Sequence, residues 1–132
     1  MSVLLGIEGG FTVTALNLWA LDNSINIFNP LSVAVGDFNQ DGNDDFVVVP
    51  DQGSGVPVIK GNGDGAFAYL TQLGAGSNPR GVATGDVNAD GYLDVVLGTT
   101  ANVPGGYFLG QSGGIDATKH DYGTNTRPAA VA

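Results

Sequence analysis

The stretch Asn29–Gly42, NPLSVAVGDFNQDG, returns at an offset of 49 residues as Asn78–Gly91, NPRGVATGDVNADG. The same offset relates the runs that follow, DFVVV at Asp45–Val49 and DVVLG at Asp94–Gly98. A register held over such a distance indicates an internal repeat, which fixes how the rest of the chain is read.

Each repeat contains short runs of β-branched and aromatic residues separated by turns rich in Gly, Asp and Asn. No window shows a helical period. The strands predicted for the first repeat are Leu31–Val35, Phe46–Val49, Val56–Lys60 and Phe67–Leu73. Those for the second are Val82–Thr84, Val95–Thr99, Gly106–Leu109 and a weak fourth strand near Ile115–Lys119. Four-stranded units at this spacing are typical of β-propeller blades, so the predicted fold is all-β with blades of four antiparallel strands.

Both ends of the chain read as partial copies of the repeat. The predicted organisation is a partial blade holding the last strands at 1–28, full blades at 29–77 and 78–126, and the first strand of a further blade at 127–132. The stretch Val13–Phe28 fits poorly and is either a longer strand with a turn or one helical turn. Closed propellers have typically four to eight blades, so this length indicates part of a longer chain or one member of a homo-oligomer.

The amino-acid composition limits the classes of partner that the protein is expected to bind. The formal net charge is −9, and twelve of the thirteen acidic residues are Asp, so the protein should attract cations and repel nucleic acids and anionic membranes. The chain has no Cys, which excludes disulfides and thiolate chemistry. No apolar run approaches the ~18 residues of a membrane span, and the first residues lack the features of a signal peptide.

Two loops carry the pattern Asp-x-Asn-x-Asp-Gly-x-x-Asp, beginning at Asp37 and at Asp86. A hard cation such as Ca²⁺ takes six to eight oxygen ligands, and side chains at positions 1, 3 and 5 of a tight loop converge on one point. Gly at position 6 permits the turn that brings the carbonyl of position 7 and the acid of position 9 to the same ion. An EF-hand is excluded, because position 12 is Val48 or Leu97 and β-type runs follow both loops.

The run V-x-V-G-D-F-N-x-D-G-x-x-D-F-V-V-V, followed by G-N-G-D-G-x-F, resembles the FG-GAP/VCBS repeat. That repeat forms the blades of integrin α-subunit propellers and of many bacterial secreted or surface proteins. The resemblance implies two Ca²⁺ sites, one in the loop between the first and second strands of each blade. The side-chain ligands that it implies are Asp37, Asn39, Asp41 and Asp45, then Asp86, Asn88, Asp90 and Asp94; Asn43 and Tyr92 would contribute main-chain carbonyls.

The sequence shows no enzyme site. A single Glu excludes a pair of glutamates for glycoside hydrolysis, and the lone His lies in Lys119–Tyr122, where neighbouring side chains of a strand point apart. Gly61–Gly65 is predicted to be a hairpin turn, since it lacks the Lys-Ser/Thr and the helix of a phosphate-binding loop. Trp19 suits a core or cap position better than a sugar-stacking platform. Arg80-Gly81 is followed by Val82, so the Arg-Gly-Asp adhesion tripeptide is absent.

These features predict a calcium-binding propeller segment that acts outside the cell or at its surface as a binding or adhesion module. The ions would be structural, and the ligand would be a protein or a carbohydrate of unknown identity. One alternative is a non-catalytic appendage of a larger secreted hydrolase or lyase. The other is a short lectin-like propeller that assembles from copies of itself.

Overall fold

The computed structural model describes residues 2–7, 10–15, 29–53, 55–76, 78–100 and 105–121. All regular structure in these ranges is β-strand, which confirms the predicted all-β class. None of these residues forms a helix capable of spanning a bilayer. Of the poorly fitting stretch Val13–Phe28, only residues 13–15 are described. Residues 16–28, which include Trp19, and the predicted strand at 127–132 lie outside the described residues.

The chain begins with an antiparallel hairpin, β1 (Ser2–Ile7) and β2 (Gly10–Ala15). Gly6 pairs with Phe11 in this hairpin, as Gly61 pairs with Phe67 in the first full repeat. The N-terminal hairpin and the last two strands of the first full repeat thus share this Gly–Phe pairing.

The first sheet has four antiparallel strands in chain order. They are β3 (Pro30–Gly36), β4 (Asp45–Pro50), β5 (Gly55–Gly61) and β6 (Phe67–Gly74). Each predicted strand of this repeat is confirmed to within one residue at either end. Every residue of β4 is buried, which explains why its sequence is a continuous apolar run instead of an alternating one.

The second sheet has the order β7-β8-β9-β12, and a separate hairpin, β10-β11, is inserted after β9. The strands are β7 (Pro79–Gly85), β8 (Asp94–Thr99), β9 (Gly106–Phe108), β10 (Gly110–Gln111), β11 (Gly114–Ile115) and β12 (His120–Asp121).

The predicted fourth strand at Ile115–Lys119 was wrong. Ile115 pairs with Gly110 in the inserted hairpin, and the fourth strand is instead His120–Asp121, which pairs with Tyr107 and Gly106. The glycines Gly113 and Gly114, with φ of 85° and 151°, reverse the chain directly after β10 and divert Ile115 from the sheet. Ile115 is apolar because it is buried in the core.

One apolar core joins the two sheets. We call the side of a sheet that faces the next repeat its downstream face, and the opposite side its upstream face. The downstream face of the first sheet contributes Val47, Val49, Val56, Val58 and Leu73, and the upstream face of the second contributes Val82, Val95, Leu97 and Phe108. The two repeats therefore pack against each other like successive blades.

Candidate metal centre in two repeated loops

The two Asp-rich loops occupy equivalent places in the two sheets. The first loop, Asp37–Asp45, leads from β3 into β4, and the second loop, Asp86–Asp94, leads from β7 into β8. Position 6 is left-handed in both, at Gly42 with φ 86° and Gly91 with φ 90°. Glycine is required there because a side chain strains this backbone conformation.

The first acid of each loop accepts two backbone hydrogen bonds from across the turn. Asp37 Oδ1 accepts from Asp41 N at 3.1 Å, and its Oδ2 accepts from Gly42 N at 2.8 Å. Asp86 accepts from Asp90 N at 3.0 Å and from Gly91 N at 2.8 Å. The same geometry therefore arises twice from two different sequences.

The side chains at positions 3 and 5 of each loop also accept backbone hydrogen bonds, from N–H groups two residues ahead. Asn39 Oδ1 accepts from Asp41 N at 2.9 Å, and Asp41 Oδ1 accepts from Asn43 N at 2.9 Å. Such side chain to backbone bonds two residues ahead are typical of Asx turns. The second loop has the same pair of bonds, Asn88 Oδ1 with Asp90 N at 3.1 Å and Asp90 Oδ1 with Tyr92 N at 2.9 Å.

The acid at position 9 is fully buried in both loops. Asp45 accepts hydrogen bonds from Phe38 N and Gly61 N, both at 3.0 Å, so it ties its loop to the end of β5. Asp94 accepts in the same way from Val87 N and Gly110 N, both at 2.7 Å.

Burial raises the pKa of the Asp45 carboxyl. The hydrogen bonds from Gly61 and Phe38 act in the opposite direction, and the negative charges of Asp41 and Asp37 raise the pKa further. A nearby cation would favour the charged form of this buried carboxyl and relieve that repulsion.

Gly61 and Gly110 occupy the same position of the two repeats, and a steric contact explains why both are glycine. A Cβ at Gly61 would overlap the carbonyl oxygen of Asp44, and one at Gly110 would overlap that of Leu93. Each loop therefore packs its eighth residue directly on a backbone that only Gly allows. The sequence revealed the repeat of these glycines but not the contact that demands them.

The loops differ in one charged contact, which sequence reasoning missed. Lys60 Nζ lies 2.7 Å from Asp41 Oδ2, and this contact holds the pKa of Asp41 below and that of Lys60 above its usual value. The residue at the same place in the second repeat is Leu109. The sequence held a usable signal, because Lys60 directly precedes the matched glycine Gly61.

All ten predicted site residues lie in the two loops, five in each. The atoms that these residues can offer to a metal ion are all oxygens, from carboxylates, amides and main-chain carbonyls. Oxygen ligands suit a hard cation such as Ca²⁺. An ionised carboxylate has about four acceptor positions, so each of these Asp residues keeps capacity beyond its backbone hydrogen bonds. Within the described ranges, no three Asp, Glu or His side chains are placed closely enough to share one ion. The oxygen atoms of these residues are therefore the kind of ligand that calcium takes. In this structure they accept hydrogen bonds from the backbone N–H groups of the loops.

Two of the remaining sequence motifs lie among the described residues. Gly61–Gly65 begins the predicted hairpin turn between β5 and β6, where Asn62 N donates to Ala66 O at 3.0 Å. The ring of His120 stacks on Tyr107 with a centroid distance of 5.0 Å.

The fold and the loops define a class of protein: an all-β chain of repeated four-stranded antiparallel sheets, each with an Asp-rich loop after its first strand. Residues 37–97, from the first loop to β8, match the family model described as the FG-GAP-like repeat. The match covers less than half of the chain and shows that residues 37–97 are similar to an FG-GAP-like repeat, as the sequence resemblance predicted. Curated proteins and solved structures gave no match.

Proposed function

We propose that each Asp-rich loop binds one Ca²⁺ and that the two ions stabilise a propeller-type binding module. The first site would use the side chains of Asp37, Asn39, Asp41 and Asp45 with the main-chain carbonyl of Asn43. The second would use Asp86, Asn88, Asp90 and Asp94 with the carbonyl of Tyr92. A bound calcium ion would supply charge neutralisation and cross-linking of the loop.

The observation that carries this proposal is the duplicated hydrogen-bond pattern of the loops. Side-chain oxygens at positions 1, 3, 5 and 9 accept backbone N–H groups in both repeats, although positions 2, 4, 7 and 8 differ. The negative charges of Asp41 and Asp37 raise the pKa of Asp45, and a divalent cation in the first loop would relieve this repulsion.

The wider role that we propose is a non-catalytic module outside the cell or at its surface. FG-GAP-like repeats are in general non-catalytic modules, and the absence of Cys and the net charge of −9 suit a soluble, cation-binding repeat. Its ligand would be a protein or a carbohydrate, because the acidic surface disfavours nucleic acids and anionic membranes.

The proposal predicts that Asp41→Ala and Asp90→Ala each reduce the number of bound calcium ions by one. Calorimetric titration of chelator-treated protein measures this number. Asp64→Ala is the matched control, because Asp64 lies in the β5–β6 turn, where its carboxylate accepts only the Ala66 N–H among the bonds described here. If Asp41→Ala or Asp90→Ala retained both ions, the ligand assignment would be refuted.

Lys60 should lower the calcium affinity of the first site. The Lys60 ammonium group neutralises part of the charge of Asp41, whereas Leu109 places no charge near Asp90. The first loop also carries Asp44 where the second has Leu93, so the effect of Lys60 is tested by removing its charge and not by comparing the two sites. Because this ion pair is partly exposed, Lys60→Met should tighten the first site only modestly, by up to about fivefold.

Lys119→Met is the control for this prediction, since it removes one positive charge that pairs with Asp121, a residue of neither loop. Calcium titrations of Lys60→Met in the Asp90→Ala background would isolate the first site. An equal tightening by the two Lys variants would show that net charge alone sets the affinity, and would contradict a specific role for Lys60.

A further inference from the structure

The two Asp-rich loops contact each other across the boundary between the two repeats. Gln40, at position 4 of the first loop, donates a hydrogen bond from its side-chain Nε2 to the main-chain carbonyl of Gly91 at 3.1 Å. Gly91 is position 6 of the second loop, 51 residues further along the chain. A side chain of the first repeat therefore contacts the backbone of the second loop.

This contact holds one peptide unit of the second loop from both sides. The carbonyl of Gly91 accepts from Gln40, and the N–H of the same peptide, which belongs to Tyr92, donates to Asp90 Oδ1 at 2.9 Å. A trans peptide unit is planar, with its C=O and N–H on opposite edges. Hydrogen bonds on both edges therefore fix the orientation of this peptide.

Leu93, on the other side of Tyr92 in the chain, also contacts the first repeat. A Cβ added at Gly36, the residue before the first loop, would lie 2.6 Å from Leu93 Cδ1 and 3.6 Å from the ring of Phe38. Leu93 thus packs closely on this part of the first repeat, and it also contacts the apolar core. Both chain neighbours of Tyr92 are therefore in contact with residues of the first repeat.

The backbone at position 4 has the same conformation in both loops, although the side chains differ. Gln40 has φ of 58°, and its counterpart Ala89 has φ of 62°. The left-handed conformation is therefore a property of the loop and does not depend on the hydrogen bond to Gly91. The bond itself depends on the Gln side chain, because the methyl group of Ala has no donor.

We infer that Gln40 is a positioning residue for the second calcium site, so that a side chain of the first repeat helps to build the site of the second. Its amide orients the Gly91–Tyr92 peptide, which leads directly to the Tyr92 carbonyl assigned above as a ligand. This inference rests on the proposed function, since it concerns the second of the two proposed sites. It adds that this site depends on the preceding repeat as well as on its own loop.

Removal of the Gln40 amide should weaken calcium binding at the second site and not at the first. A ligand carbonyl that is already oriented lowers the cost of ordering the loop around the ion. Water competes for this exposed hydrogen bond, so Gln40→Met should lower the calcium affinity of the second site by about two- to fivefold. The affinity of the first site should be unchanged, because position 4 supplies no ligand to it.

A calcium titration followed by amide NMR measures both affinities in one sample, through the resonances of Gly42 and Gly91. Gln40→Ala gives position 4 the side chain of its counterpart and should weaken the second site as much as Gln40→Met, since neither variant has an amide. Gln52→Met, the same substitution in the exposed turn after β4, should leave both affinities unchanged. The positioning role is overturned if Gln40→Met binds calcium at the second loop like the wild type, or if it weakens both loops equally.

A calcium-free measurement distinguishes failure of this inference from failure of the proposed function. In chelator-treated protein, Gln40→Met should shift the amide resonance of Tyr92, whose nitrogen is bonded to the carbonyl carbon of Gly91, and Gln52→Met should not. An unshifted Tyr92 resonance would show that Gln40 does not hold this peptide, and would overturn the inference while leaving calcium binding in the loops untouched. If the Tyr92 resonance shifts but neither loop of the wild type binds calcium, the proposed function fails and the positioning role fails with it.

Discussion

Removal of calcium is expected to lower the free energy of unfolding by about 5 kcal/mol when free calcium stands at roughly 100 times the Kd of both sites. Each site then contributes about 2.7 kcal/mol, because the ion binds the folded loop and not the unfolded chain. Without the ion, the neighbouring carboxylates repel one another, and Asp45 is buried with only backbone donors to offset its charge.

Chemical denaturation in saturating calcium and in EDTA would measure this difference. Calcium should restore stability in preference to magnesium, since magnesium keeps its water shell and demands stricter geometry. A variant carrying both Asp41→Ala and Asp90→Ala should unfold identically in the two buffers. Unchanged unfolding of wild-type protein that had been shown to carry calcium would refute a stabilising role for the ions.

Replacement of Gly61 or Gly110 by Ala is expected to have the next largest effect. The added methyl group would meet a backbone carbonyl, which cannot rotate away as a side chain could. The loop or the strand must therefore shift, at a cost near the upper end of about 1–3 kcal/mol. Alanine keeps the N–H groups that donate to Asp45 and Asp94, so the loss reports the close approach and not a missing hydrogen bond.

Gly74→Ala is the matched control for this effect, because Gly74 also lies in a strand and no atom is within 4 Å of its added Cβ. It should change the free energy of unfolding by no more than about 0.5 kcal/mol. If Gly61→Ala were as stable as Gly74→Ala, the loop would not be packed against β5 as described.

The strands of the first repeat were predictable because two local signals agreed. Apolar runs such as Phe46–Val49 are bounded by turns rich in Gly and Asp, and the 49-residue register placed each run twice. The second repeat shows the limit of the same reasoning. Ile115 has the composition of a strand residue, but the glycines before it close a separate hairpin, and a burial signal alone cannot say which sheet a residue joins.

The candidate site was predictable in composition but not in arrangement. Alternate oxygens with Gly at position 6 identified both loops, and the structure adds that Asp45 and Asp94 are buried anchors. Lys60 was missed because its contact with Asp41 joins residues far apart in the chain. The difference in exposure between Phe38 and Val87 was equally hidden, since the two residues occupy the same place in the repeat and differ in what packs on them.

A calcium titration followed by amide NMR tests most directly whether calcium binds in both Asp-rich loops. Calcium should shift the resonances of Gly42 and Gly91 and of the residues around them, saturating at two ions per chain. The turn at Asn62–Ala66, which also contains Asn and Asp, should not respond. If calcium shifted no resonance in either loop, or if the shifts were centred elsewhere in the chain, calcium binding in the two loops would be contradicted.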